Sequence, residues 1–116
     1  MISFHVPELY HNPMCWFAKE FLCNVDVTIV VREGDLGQTL GYCTALEDEF
    51  FIEVNINQSN LEKITTFFHE LYHVLQHLDK QPRDEEECET FETVLLDRWV
   101  QSSYTIFVKD EGLLSL

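Results

Sequence analysis

The chain has 116 residues, 46% of them hydrophobic and 13% aromatic, with only four Gly and three Pro. That is the size of one domain and enough bulky apolar side chain for a core, which excludes disorder, collagen and a linker. Seven Lys and Arg stand against 21 Asp and Glu, a formal charge of −14, and the field of such a surface repels nucleic-acid phosphates and anionic membranes.

No run approaches the roughly 20 apolar residues of a spanning helix. The start, Met1-Ile2-Ser3-Phe4-His5, lacks the basic and apolar regions of a signal peptide, so a cytoplasmic address is expected. Cys15, Cys23, Cys43 and Cys88 form no C-x-x-C pair and read as reduced core thiols rather than a disulfide, a zinc ribbon or a redox motif. Without repeats or linkers, residues 1–116 read as one domain.

Asn12-Pro13 has the form of a helix cap followed by proline at the first helical position. Met14, Phe17, Ala18, Phe21 and Leu22 then repeat at helical spacing as far as about Asn24. Val25–Arg32 is rich in β-branched residues, and with a second run near Leu40–Ala45 it suggests a hairpin. A third strand, Phe50–Asn57, alternates: Phe51, Glu53, Asn55 and Asn57 face one way, Ile52, Val54 and Ile56 the other. Ser59-Asn60-Leu61-Glu62 is a capping box opening a second helix, striped by Ile64, Phe67, Phe68, Leu71, Leu75 and Leu78 and stopped by Asp79-Lys80-Gln81-Pro82. Asp84 caps a third helix with Cys88, Phe91, Leu95 and Trp99 inward. Ser102–Lys109 fits either an extension of that helix or a last strand.

Within the second helix stands His69-Glu70-Leu71-Tyr72-His73, an H-E-x-x-H sequence. Residues four apart share one helical face, so two imidazoles can hold one Zn²⁺, and the Glu beside the first His leans towards a water on the metal. The metal brings that water's pKa towards ~7 and Glu70 takes its proton as it attacks a carbonyl: peptide hydrolysis without a covalent intermediate. An amphipathic helix with two ordinary histidines is the plain competing reading.

A catalytic zinc has three protein ligands. His77 is four residues beyond His73, but a rise of ~1.5 Å per residue puts it about 12 Å from His69, which makes it a rim histidine. His5 and His11 are remote in sequence. The acidic start of the third helix is the richer source, and steps of about 100° put Glu85, Glu89 and Glu92 on one flank that can face the second helix.

With these residues the chain resembles the gluzincins, zincin metallopeptidases in which H-E-x-x-H gives two ligands and a Glu on a following helix gives the third. It is most similar to short phage and bacterial members with the signature H-E-[LIM]-x-H-x-x-Q and then E-x-E-A or E-x-x-A-N. The match is His69-Glu70-Leu71-Tyr72-His73-Val74-Leu75-Gln76, then Glu85-Glu86-Glu87-Cys88, with Cys88 in place of the small Ala. The resemblance implies His69, His73 and Glu85 as zinc ligands, Glu70 as general base, Glu89 as the acid that orients a ligand histidine, and a peptide or protein as substrate. It implies an α+β zincin-like domain: an N-terminal helix, a small three-stranded, mostly antiparallel sheet, the H-E-x-x-H helix and a glutamate helix. Phe50–Asn57 would be the rim on which an extended peptide pairs. Only 12 residues separate His73 from Glu85, which requires a tight helix hairpin and leaves Glu89 and Glu92 as alternatives for the third ligand. For the oxyanion the candidates are Tyr72, Tyr104 and His77. Two other readings compete: an inactive protein with a structural zinc, and an acidic inhibitor or nucleic-acid mimic that needs no metal.

Overall fold

The alternating run of the third expected strand occupies an inner position in the sheet. A computed structural model, which describes the backbone of residues 1–110 and the side chains of residues 1–102, gives the order β1 (Ser3–His5), α1 (Glu8–Phe21), β2 (Thr28–Gly34), β3 (Gly41–Leu46), β4 (Glu49–Asn55), α2 (Asn60–Leu78) and α3 (Glu85–Asp110). The strands lie in the order β1-β2-β4-β3, with β1 parallel to β2, β2 parallel to β4, and β3 antiparallel to β4. Helices and sheet together make a mixed α/β fold, as expected in class. The sheet itself corrects the expectation: it has four strands rather than three, and two of its three pairings are parallel. β1 is three residues long, too short to carry a visible period.

The expected hairpin between Val25–Arg32 and Leu40–Ala45 does not form, because β4 lies between β2 and β3. The unbroken apolar run Ile29-Val30-Val31 suits a strand bonded along both edges. The hairpin that does form joins β3 to β4 through Glu47, whose φ is +58°. Phe50, Ile52 and Val54 of β4, Ile29 and Val31 of β2, and Cys43 of β3 are buried on the face that meets the helices. The other face is wetter and carries Tyr42, Phe51 and the Arg32–Glu53 ion pair at 2.8 Å.

Pro13 lies inside α1, six residues along, not at its start. Its ring removes one backbone bond, but the apolar period runs back to Tyr10, and burial of Tyr10, Met14, Phe17 and Ala18 against Phe67 and Phe68 outweighs that loss. Tyr10 donates to Glu33 at 2.5 Å, and Lys63 pairs with the same carboxylate at 3.3 Å, which ties α1, β2 and α2 together. At the start of α2 the capping box is formed: Ser59 Oγ accepts from the Glu62 N–H at 3.2 Å, and the Ser59 N–H donates to Glu62 Oε1 at 2.8 Å.

The turn from α2 to α3 is tight, with Lys80 at φ +57° and the Gln81 N–H donating to the Gln76 carbonyl at 2.8 Å. Asp84 caps α3 by accepting from the Glu87 N–H at 3.1 Å. Its inward stripe is Cys88, Glu92, Leu95, Leu96 and Trp99. Phe91 is displaced to the flank, where it stacks on Tyr72 at 4.9 Å. Further along, Trp99 Nε1 donates to Asn12 Oδ1 at 3.0 Å. The helix continues to Asp110, which decides Ser102–Lys109 in favour of helix. The Tyr104 side chain and residues 111–116 lie outside the described residues. Among the described residues, no helix is long and apolar enough to cross a membrane.

Candidate metal centre

The middle of α2 is anchored by Phe67, Phe68, Leu71 and Val74, all fully buried. Between these anchors the helix turns His69, Glu70 and His73 towards β3 and the first turns of α3. The cap at Asp84 starts α3 so that Glu85, its first residue, reaches back. Glu85 Oε2 lies 2.9 Å from His69 Nε2, and Glu85 Oε1 lies 2.7 Å from His73 Nε2. Three of the four expected site residues thus meet through one carboxylate. The fourth, Glu70, is buried beside them with Oε1 unpartnered.

The tautomer of His73 follows from its neighbours. Gln76 Nε2 donates to the Asp84 carbonyl at 3.1 Å and to Glu87 Oε1 at 3.0 Å, while Gln76 Oε1 faces the Asp84 N–H at 3.4 Å. That oxygen is therefore an acceptor, and His73 Nδ1, 2.9 Å from it, carries the proton. Burial lowers the His73 pKa and keeps the ring neutral, so Nε2 presents a bare lone pair. Nε2 is buried without a hydrogen bond. A buried nitrogen left without a hydrogen bond 2.7 Å from a carboxylate oxygen is the kind of unsatisfied pair that a bound cation would satisfy. The donor set fits a metal.

His69, His73 and Cys88 each also offer a ligand atom, all within 4.8 Å of one another, so this group can hold a metal ion. Cys88 is fully buried, its Sγ 3.3 Å from His73 Nδ1 and 3.6 Å from Gln76 Oε1. Burial, then the charges of Glu85 and Glu70, push its thiol up to about 12. Glu85 is the opposite case: desolvation raises its pKa, but His69, His73 and Arg83 outweigh this and hold it below the usual carboxylate value. For Glu70, desolvation dominates, with Glu85 and Glu92 adding to it and His69 and Arg83 opposing, and its pKa rises to about 7.

The structure corrects the orienting role expected of Glu89. That residue is exposed at the mouth of a cavity of about 240 Å³ in front of Glu70. Glu92 stands 3.8 Å from His69 Nδ1, beyond hydrogen-bond reach and behind the ring as seen from Glu85, while Gln76 lies 2.9 Å from His73 Nδ1. A partner at hydrogen-bond distance fixes the ring orientation of a metal-binding histidine, which gives that part to Gln76. Glu92 lies on the wrong side of His69 to be a ligand on its Nε2. His77 is exposed and edge-on to Phe50 at 5.3 Å, a rim residue as expected. Tyr72 is engaged with Phe91, and His11 with Phe4 and Cys15, while His5 lies on the edge strand opposite β3.

No family model, curated protein or solved structure matches the chain.

Two contributors have weak or no signals in the sequence. Gln76 closes the quoted H-E-[LIM]-x-H-x-x-Q match and follows His73 by three residues, so it shares its face, but neither feature gives its part in fixing the ring. Gly41 has none. A Cβ there would lie 2.6 Å from Thr66 Cγ2, 2.9 Å from the Glu53 carbonyl oxygen and 3.5 Å from Glu70 Oε2, so glycine lets β3 close on α2. Asn55 holds the approach to this contact by donating to the Gly37 and Thr39 carbonyls, each at 2.9 Å. Gly41→Ala is expected to lower the stability of the metal-free protein by about 1–3 kcal/mol, the usual cost of overpacking. Urea denaturation checks this, and an unchanged midpoint would refute the close approach.

Proposed function

We propose that this chain is a zinc-dependent peptide hydrolase of the gluzincin kind, with His69, His73 and Glu85 as ligands and Glu70 as general base. One observation carries the reading: Nε2 of buried His73 has no hydrogen bond and lies 2.7 Å from a Glu85 oxygen whose partner oxygen meets His69. Zinc bound here supplies Lewis acidity and lowers the pKa of a water towards ~7. Glu70, buried beside the two histidines, would be the residue that takes a proton from such a water and returns it to the leaving amine.

The strand that receives an extended peptide is β3, in place of Phe50–Asn57. β4 is bonded on both sides and has no free edge. The Asn55 N–H donates to the Leu40 carbonyl, so with a period of two the backbone groups of Gly41, Cys43 and Ala45 point to the open edge. An added strand there would run past Glu70.

A second reading, a structural zinc held by His69, His73 and Cys88, is favoured by the mutual reach of those three atoms.

The test is zinc content and proteolysis of the purified chain. About one zinc per chain is expected, together with cleavage of a casein-like substrate that stops with a chelator and resumes with zinc; His69→Ala is expected to lose both. A wild-type chain that takes up no zinc overturns the reading.

A further inference from the structure

A second cavity, of about 150 Å³, lies beside the metal centre on the other side of His73, along the open edge of β3. Its apolar wall is Ala45 and Phe50, and its polar wall is His77, Gln81 and Arg83. No carboxylate lines it. In a chain with 21 acidic and seven basic residues that is an anomaly, and the contrast with the neighbouring 240 Å³ cavity, lined by Glu70, Glu85, Glu89 and Glu92, is sharp. Arg83 lines both.

Arg83 is only partly engaged. Its Nη1 donates to the Cys43 carbonyl at 3.1 Å, and its Nε reaches Glu85 Oε1 at 3.4 Å. The side chain is 54% exposed, so most of its five N–H donors remain available to a ligand. Its bond to Cys43 falls on an outward-facing carbonyl of β3, so the guanidinium sits at the place where a peptide paired with that edge would pass. Volume fixes the size of the guest: drug-sized ligands need roughly 300–1,000 Å³, and this cavity admits one side chain or one chain terminus. A guanidinium fork is matched to a planar carboxylate, and the one carboxylate that Arg83 already meets, Glu85 at 3.4 Å, is not among the residues that line this cavity.

We propose that this cavity is a specificity subsite that takes a carboxylate of the bound peptide, with Arg83 as the residue that selects it. The proposal rests on the peptide-hydrolase reading for its substrate class, but it is a claim about binding. A carboxylate can come from an acidic side chain or from a free C-terminus, and the chemistry of recognition is the same. Arg83 acts here as a specificity-determining residue and takes no part in moving protons.

The test uses zinc-loaded full-length protein and paired peptides that carry Glu or Gln at successive positions, each with a free or an amidated C-terminus. Binding is measured by calorimetry on the wild type and on Glu70→Gln, and cleavage on the wild type. At one position Glu is expected to bind at least about tenfold more tightly than Gln; Arg83→Gln removes this ratio and Arg83→Lys restores part of it. Because each ratio is internal to one protein, a change in metal occupancy cancels. Discrimination that survives amidation assigns the site to a side chain, and discrimination seen only with the free terminus assigns it to the terminal carboxylate. Equal binding of all peptides to the wild type, or no binding, overturns the subsite. Discrimination through Arg83 without cleavage upholds the subsite and overturns the hydrolase.

Discussion

Glu70→Gln is expected to leave zinc bound and to slow peptide hydrolysis by about 10²–10⁴-fold, the usual contribution of a positioned proton acceptor. Glu70 is not among the groups that meet Nε2 of His69 or of His73, so zinc occupancy is expected to be kept. The amide has the same shape but cannot accept and return a proton. The same substitution has the opposite effect on the metal-free fold. The folded pKa of Glu70 is about 7 against an ordinary 4.5, so the folded chain holds this proton more tightly than the unfolded chain does. The stability this provides is complete below about pH 4.5 and is lost as pH rises through 7, a difference of about 3 kcal/mol. In chelator at pH 8, Glu70→Gln is therefore expected to be the more stable protein, and near pH 4.5 the two should converge. Zinc content, casein cleavage and thermal melts at the two pH values check each part. Full hydrolysis by the variant would remove Glu70 from the chemistry.

The second large effect separates two ligand sets. Glu85→Ala removes the one carboxylate that meets both imidazoles and is expected to weaken zinc binding by more than the roughly 10–100-fold typical of losing an outer partner. Cys88→Ala is expected to leave zinc affinity within that lesser range, because its sulfur faces the protonated nitrogen of His73. Competition with a chelator of known affinity measures both. The reverse order would give Cys88 the ligand role and make the zinc structural, whereas equal large losses would describe a site that uses both groups. Cys88→Ala also supplies its own control for folding, since alanine is the smaller residue and leaves only a small void beside Leu95.

What the sequence made legible was local. The capping box of α2, the H-E-x-x-H face, the cap at Asp84 and the alternation of β4 each depend on residues within one turn or a few positions, and each is found as expected except that the alternation ends at Val54, with Asn55 buried and Ile56 exposed. Strand order depends on partners far apart in the chain: the apolar run Ile29-Val30-Val31 suits an inner strand, but nothing in Val25–Arg32 says that β4 is the strand beside it. Pro13 misled for a related reason: as a helix-start residue it is locally favourable, and only the burial of Tyr10 against α2 shows why the helix starts earlier. At the site, helical spacing correctly put Glu85 on the flank facing α2. Glu89 and Glu92 share that flank closely enough that spacing alone could not tell which of them stands behind His69. Gly41 and Arg83 come from segments with no periodic signal, and their places follow from the packing of β3 and the turn after α2.

The Gln76 amide has one further consequence. It reads the Asp84 backbone with both of its ends, and the same oxygen fixes the proton on His73. Fraying of the first turn of α3 would therefore withdraw Glu85 and release the His73 tautomer together. Metal binding and docking of that turn are therefore expected to be coupled, because one amide holds both the start of α3 and the ring of His73.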